Sequence, residues 1–108
     1  MYSFGCNSES QLGLGESFSA SFYSSPQQIE SVKAQEWVML SAGAGQSCAL
    51  SGNGDLFVWG INDNGELGIG KIIEQFTPKR VDLPFFVSAV ACGYYHTAIL
   101  SSKLTILI

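Results

Sequence analysis

Apolar positions along this chain come in short runs that end at glycine. Leu56-Phe57-Val58-Trp59-Gly60 leads into Ile61-Asn62-Asp63-Asn64-Gly65 and then Glu66-Leu67-Gly68-Ile69-Gly70. An apolar run followed by a polar, glycine-bearing segment predicts a strand and a tight turn. The same pattern opens the chain. Residues 1–15 align with residues 56–70 without a gap: Phe4 and Gly5 stand on Trp59 and Gly60, and Asn7 on Asn62. Leu12 and Gly13 stand on Leu67 and Gly68, and Gly15 on Gly70. Self-similarity at a fixed spacing marks a repeat architecture.

After Gly15 the serine-rich residues 16–25 lead to Pro26, and after Gly70 residues 71–77 lead to Pro78. Both stretches lack a helical or strand period and are expected to be exposed loops. Three positions after each proline stands a β-branched residue, Ile29 or Val81, placed to point inward from a short strand. Residues 28–40 carry some helical spacing, with Ile29 and Val32 three apart among good helix formers. Their counterpart contains Pro84, which costs a helix interior about 3 kcal/mol, so no helix is expected. Residues 37–50 then align with 87–100, Gly43 on Gly93, Gln46 on His96 and Leu50 on Leu100, each reading as strand, glycine turn, strand.

Ser51-Gly52-Asn53-Gly54-Asp55 is a tight turn, expected to link a first unit, 1–55, to a second, 56–108. The correspondence fails after about residue 101. Residues 104–108 still read as a strand by composition, an uncharged edge prone to aggregation. Phe4 and Trp59 are expected to pack between units, each burial contributing roughly 1.5–3 kcal/mol. Trp37, matched only by Val87, is expected to be partly exposed.

Composition narrows the possibilities. With 46% hydrophobic and 13% charged residues, the chain is expected to fold rather than stay disordered. A net charge of −4 with five Lys and Arg leaves no basic patch for nucleic acid or an anionic membrane. No apolar run approaches the roughly 18 residues of a membrane helix, and Met1 leads directly into a strand pattern, so an intracellular protein is expected. Cys6, Cys48 and Cys92 stand far apart without metal-ligand spacing and read as buried free thiols.

Candidate chemistry is sparse. Gly13, Gly15, Gly68 and Gly70 are followed by neither a helix start nor Gly-Lys-Ser/Thr, so they read as turns and not as a phosphate loop. His96 is the single histidine; because Gln46 replaces it in the sister unit, it reads as a hydrogen-bonding core residue that fixes the turn at Gly93. Glu9, Asp55, Asp63 and Glu66 form no marked pair, and Glu66 occupies the place of neutral Gln11. No catalytic residue, cofactor site or metal site is expected, and no enzyme.

Aromatic-Gly-x-Asn at Phe4 and Trp59, Gln/Glu-Leu-Gly-Leu/Ile-Gly at residues 11–15 and 66–70, a proline after a variable loop, and Cys92-Gly93-x-x-His96-Thr97-x-x-Leu100 together resemble the regulator of chromosome condensation repeat. The resemblance covers residues 1 to about 101. It implies an all-β fold: two repeat blades of an incomplete β-propeller of the seven-bladed type, each blade a four-stranded antiparallel sheet. Two blades leave both outer faces uncovered, so further blades or self-assembly are needed to close a ring. A piece of a longer propeller, or a truncated product, is the expectation. Tyr94 and Tyr95 stand where the family's plant ultraviolet receptors carry Trp and Arg, so photoreception is not expected. The resemblance also implies a protein-interaction module with another protein as partner. Phe18, Phe22, Tyr23 and Phe76 in the variable loops are the candidate contacts. The alternative is guanine-nucleotide exchange on a small GTPase by a complete propeller, with no exchange residue transferable to this chain.

Overall fold

The computed structural model describes residues 1–70 and 73–102 and the backbone of residues 106–107. The apolar runs become strands: β1 (Tyr2–Cys6), β2 (Phe22–Gln28), β3 (Trp37–Ala42), β4 (Gln46–Ser51), β5 (Leu56–Gly60), β6 (Gln75–Arg80), β7 (Val87–Cys92), β8 (Thr97–Ser101) and β9 (Ile106–Leu107). They pair antiparallel in three sheets, ordered β1-β2, β3-β4-β5-β6 and β7-β8-β9.

The four-stranded sheet straddles both sequence repeats. Its central hairpin, β4 to β5, turns through Ser51-Gly52-Asn53-Gly54-Asp55, where the Ser51 N–H donates to Asp55 O at 3.0 Å. The turn expected to link the two units is thus a hairpin, and both of its strands belong to one sheet. Repeat and blade are out of phase by half a unit, because strand pairing follows the shortest connection rather than the repeat's first residue. By the sequence correspondence, β1-β2 matches β5-β6 and β7-β8 matches β3-β4, so one whole blade stands between two half blades.

The third sheet ends at β9. Ile99 faces Leu107 and Leu100 faces Ile106, as Ala49 faces Phe57 and Leu50 faces Leu56. The β8-β9 pairing thus keeps the β4-β5 register over two residues; Leu104 and Ile108 lie outside the described residues.

Strand alternation divides the whole blade's side chains between two apolar clusters. Cys48, Leu50, Leu56 and Val58 face β7 and β8, where Val87, Val90 and Ile99 meet them. Ala49, Phe57 and Trp59 face the other way, onto Ile29 and Val32. Covered on both sides, β5 is buried at all five positions.

Ile29 and Val81 are buried just past the ends of β2 and β6. Residues 28–40 form no α-helix, only a 3₁₀ turn at Glu30–Val32 that buries Val32. Trp37 is half-buried, edge-on to Phe57 with ring centroids 5.1 Å apart. The expected loops are shorter than read: β2 begins at Phe22 and β6 at Gln75. Phe4, expected to be packed between units, is 61% exposed, because β1 has one neighbouring strand, β2, among the described residues.

Candidate functional site

Each repeat holds its variable loop with a buried asparagine. Asn62 Oδ1 accepts the Leu67 N–H at 3.1 Å, and its Nδ2 donates to Ile73 O at 3.1 Å. Asn7 does the same with the Leu12 N–H at 3.3 Å and Phe18 O at 3.0 Å. Between them the chain closes two consecutive turns, through Gly65 to Asn62 and Gly68 to Gly65, matched by Ser10 to Asn7 and Gly13 to Ser10. Gly65 has φ +72°, and Ser10 in its place has φ +59°, the one non-glycine at positive φ among the described residues. An amide side chain suits this position because it offers an acceptor and a donor to two backbone groups that would otherwise be buried unpaired.

The four candidate contact residues follow these turns, Phe18 in the loop and Phe22, Tyr23 and Phe76 at the starts of β2 and β6. Phe18 follows Gly15, donating its N–H to Gly15 O, and packs edge-on against Tyr23 with centroids 5.8 Å apart. The Gly15 N–H in turn donates to Phe76 O, and Ser10 Oγ donates to Glu74 Oε2 at 2.6 Å, so the first repeat's turn is tied to the second repeat's loop. Phe18, Phe22 and Phe76 are exposed and Tyr23 is half-buried. Phe22 stands on β2 opposite Cys6. Phe18, Tyr23 and Phe76 are thus gathered around Gly15, and Phe22 extends the apolar edge along β2.

Contacts between repeats hold the whole blade to its neighbours. The Trp59 indole N–H and the Ser47 hydroxyl both donate to Gln11 O, at 2.8 and 2.9 Å. Gln46, 1% exposed, donates through Nε2 to Gly93 O at 2.9 Å and His96 O at 3.2 Å. His96 keeps the expected place over Gly93, where its ring excludes any Cβ, as Gln46 does over Gly43. It is exposed rather than in the core, since among the described residues no following turn covers it as Gly93 covers Gln46. Leu50 is buried and Leu100 half-buried, and Thr97 Oγ1 donates to Glu66 O at 2.8 Å.

Sequence reasoning did not single out Gln46, Ser47 or the pairing of two cysteines. The signal for Ser47 was present: a hydroxyl, Ser47 or Thr97, occupies the same place in both repeats. Cys6, expected to be buried, is exposed at the end of β1, whereas Cys48 and Cys92 meet between β4 and β7 with sulfurs 3.1 Å apart. The hydrogen bond from Cys48 is the main cause that lowers the Cys92 thiol to about 7, helped by Ser41 and Thr97. Cys48, holding the shared proton in a buried site, is raised. Among the described residues, no group of three or more His, Cys, Asp and Glu is placed to hold a metal ion. No helix of the described residues is long and apolar enough to cross a membrane.

The regulator of chromosome condensation (RCC1) repeat matches residues 1–50 and 53–100. Similar curated proteins include the human probable E3 ubiquitin-protein ligase HERC3, 36% identical over 104 residues, covering 94% of this chain and 10% of that protein. The Arabidopsis thaliana ultraviolet-B receptor UVR8 is 36% identical over 97 residues, 88% of this chain and 21% of that protein. The Bos taurus secretion-regulating guanine nucleotide exchange factor is 34% identical over 105 residues, 95% of this chain and 22% of that protein. Among solved structures, human WBSCR16 superposes with a TM-score of 0.85 at 24% identity, over 97% of this chain and 27% of that one. Yeast RCC1 (Prp20), solved with Kap60, superposes with a TM-score of 0.85 at 22% identity, over 94% and 26%. The chain spans about a tenth to a fifth of the curated relatives and about a quarter of the solved chains. Half blade, whole blade and half blade are an arc of a β-propeller, and the chain belongs to the regulator of chromosome condensation repeat family.

Proposed function

We propose that this chain is a protein-interaction module, with Phe18, Phe22, Tyr23 and Phe76 as its contact residues and another protein as its partner. The observation that carries this reading is the exposure of Phe18, on the loop held by Asn7, and of Phe22 and Phe76, at the starts of β2 and β6. Aromatic anchors on a rigid support bind at low entropic cost. The test is affinity capture on the immobilised chain, compared with a Phe18→Ala/Phe22→Ala variant whose unfolding midpoint is unchanged. Proteins retained by the native chain and lost from the variant support the reading; identical capture by both refutes it.

A second reading is exchange-factor activity toward a small GTPase. Its support is the likeness to the bovine secretion-regulating guanine nucleotide exchange factor. Release of a fluorescent guanine nucleotide from a panel of small GTPases tests it: faster release supports exchange by this chain, and unchanged rates across the panel refute it.

A further inference from the structure

Two of the three thiols meet where the whole blade packs on the half blade that follows it. Cys48 lies on β4, 1% exposed, between Ser41 of β3 and Val58 of β5. Cys92 ends β7, half-buried against the same apolar cluster. The 3.1 Å between their sulfurs is about 1 Å more than a disulfide bond.

The backbone is pinned on either side of this contact. The Cys92 N–H donates to Ser41 Oγ at 2.9 Å, and Ser41 is the neighbour of Cys48 across the β3-β4 ladder. Gly93 O, one residue on, accepts from Gln46 Nε2 at 2.9 Å, and Gln46 opens the strand that carries Cys48. Closing the gap therefore falls to rotation about the two Cα–Cβ bonds. The repeat itself does not require the pair. Cys48 aligns with Ala98 and Cys92 with Ala42, so the same strands are built with alanine at either place. The bond from Cys48 favours the thiolate of Cys92, the form that oxidants attack, while that bond and burial keep the proton on Cys48. We propose that Cys48 and Cys92 form a reversible oxidation site, closed by a peroxide into a disulfide that clamps β4 to β7.

Cys92 is the less buried of the two and meets the oxidant first. Its thiolate attacks one oxygen of hydrogen peroxide, the O–O bond breaks, and hydroxide leaves with the electron pair, which makes Cys92 a sulfenic acid. Cys48 gives its proton to that hydroxide, forming water, and its sulfur attacks Cys92 Sγ. The S–S bond forms as the S–O bond breaks, and the second hydroxide leaves. Two electrons pass from the sulfurs to the peroxide, and both of its oxygens end as water once the proton lost by Cys92 on ionising is counted. A small thiol of the glutathione class reverses the reaction by two exchanges. Its thiolate first attacks Cys92 Sγ and releases the Cys48 thiol; a second molecule then attacks the outer sulfur and releases Cys92. The closed bond spans β5 and β6 and prevents the two blades from parting when the chain unfolds.

The test is hydrogen peroxide treatment of the full folded chain carrying Cys6→Ser, which removes the exposed thiol and with it cross-links between molecules. Remaining thiols are alkylated with iodoacetamide, and the unreduced digest is mapped by mass spectrometry. The expected result is one peptide pair joined through Cys48 and Cys92 and separated by dithiothreitol, with a Tm about 10 °C or more above that of the reduced chain. In Cys48→Ala, Cys92 should stop at a sulfenic acid that dimedone traps; in Cys92→Ala, Cys48 should remain a thiol. Recovery of both thiols alkylated after peroxide overturns the proposal, as does Cys92 carried on to sulfinic acid without the link. A link that forms only in urea overturns it too, since the folded contact is then not what joins the sulfurs. A link without a rise in Tm refutes the clamp. Should an alanine variant fail to fold, the mapping of the Cys6→Ser chain decides.

Discussion

Gly13 and Gly68 form an internal control, because the two positions share a backbone conformation and differ in what covers them. Both have φ near +70°, so an alanine at either site meets the left-handed penalty of about 1–2 kcal/mol. At Gly68 that is the whole expected cost, as no described atom lies within 4 Å of the new methyl. At Gly13 the methyl would stand 2.8 Å from Trp59 Cδ1 and Nε1 and 3.2 Å from Pro78 Cδ. Trp59 cannot retreat without giving up its bond to Gln11 O, so overpacking adds about 1–3 kcal/mol. Gly13→Ala should therefore cost about 2–5 kcal/mol and Gly68→Ala about 1–2 kcal/mol. Urea unfolding followed by tryptophan fluorescence, at concentrations where the chain is monomeric, measures both. Equal losses for the two variants would refute the seating of Trp59 over Gly13.

Asn62→Ala should destabilise by about 2 kcal/mol or more, because it strips partners from the Leu67 N–H and Ile73 O; a loss below about 0.5 kcal/mol in the same urea assay would contradict the turn's role. Glu66→Gln should stabilise by about 1 kcal/mol, since it keeps an acceptor for the Asn64 N–H at Oε1 and removes a buried carboxyl oxygen that has no hydrogen-bond partner among the described residues; a lower Tm by calorimetry would contradict this. Cys92, lowered to about 7 chiefly by the bond from Cys48, ionises at lower pH than an ordinary thiol, so its alkylation should rise through pH 7. Cys48→Ala removes that donor and should move the rise to higher pH. Mass spectrometry of iodoacetamide adducts reads the shift, and an unmoved profile would dismiss the pairing.

The strands and turns were legible because local chemistry dictates them: apolar runs, glycines and asparagines act within a few residues of themselves. Ile29 and Val81 were placed correctly by their spacing from a proline. The phase of the blade was not legible. The repeat can be cut at any point along the sequence, and only the pairing of β4 with β5 shows that Ser51 to Asp55 is the middle of a sheet. Phe4 and His96 were misjudged for one reason. Each was read from a sister residue, Trp59 or Gln46, that is buried by the adjoining repeat, whereas nothing described in the structure lies beyond Phe4 or His96 to bury them. The candidate contact residues were chosen for their variability between units, whereas Gly15, which gathers Phe18 and Phe76, acts through backbone bonds that carry no side-chain signature.

Native-state hydrogen exchange tests the half-unit phase most directly, since amides of one cooperative sheet share an opening free energy. The prediction is that Cys48 and Leu50 in β4 and Val58 in β5 exchange slowest and at a common free energy, with β1 and β8 opening more readily. Slow exchange divided at residue 55, with β4 opening alongside β1 and β5 alongside β8, would contradict it.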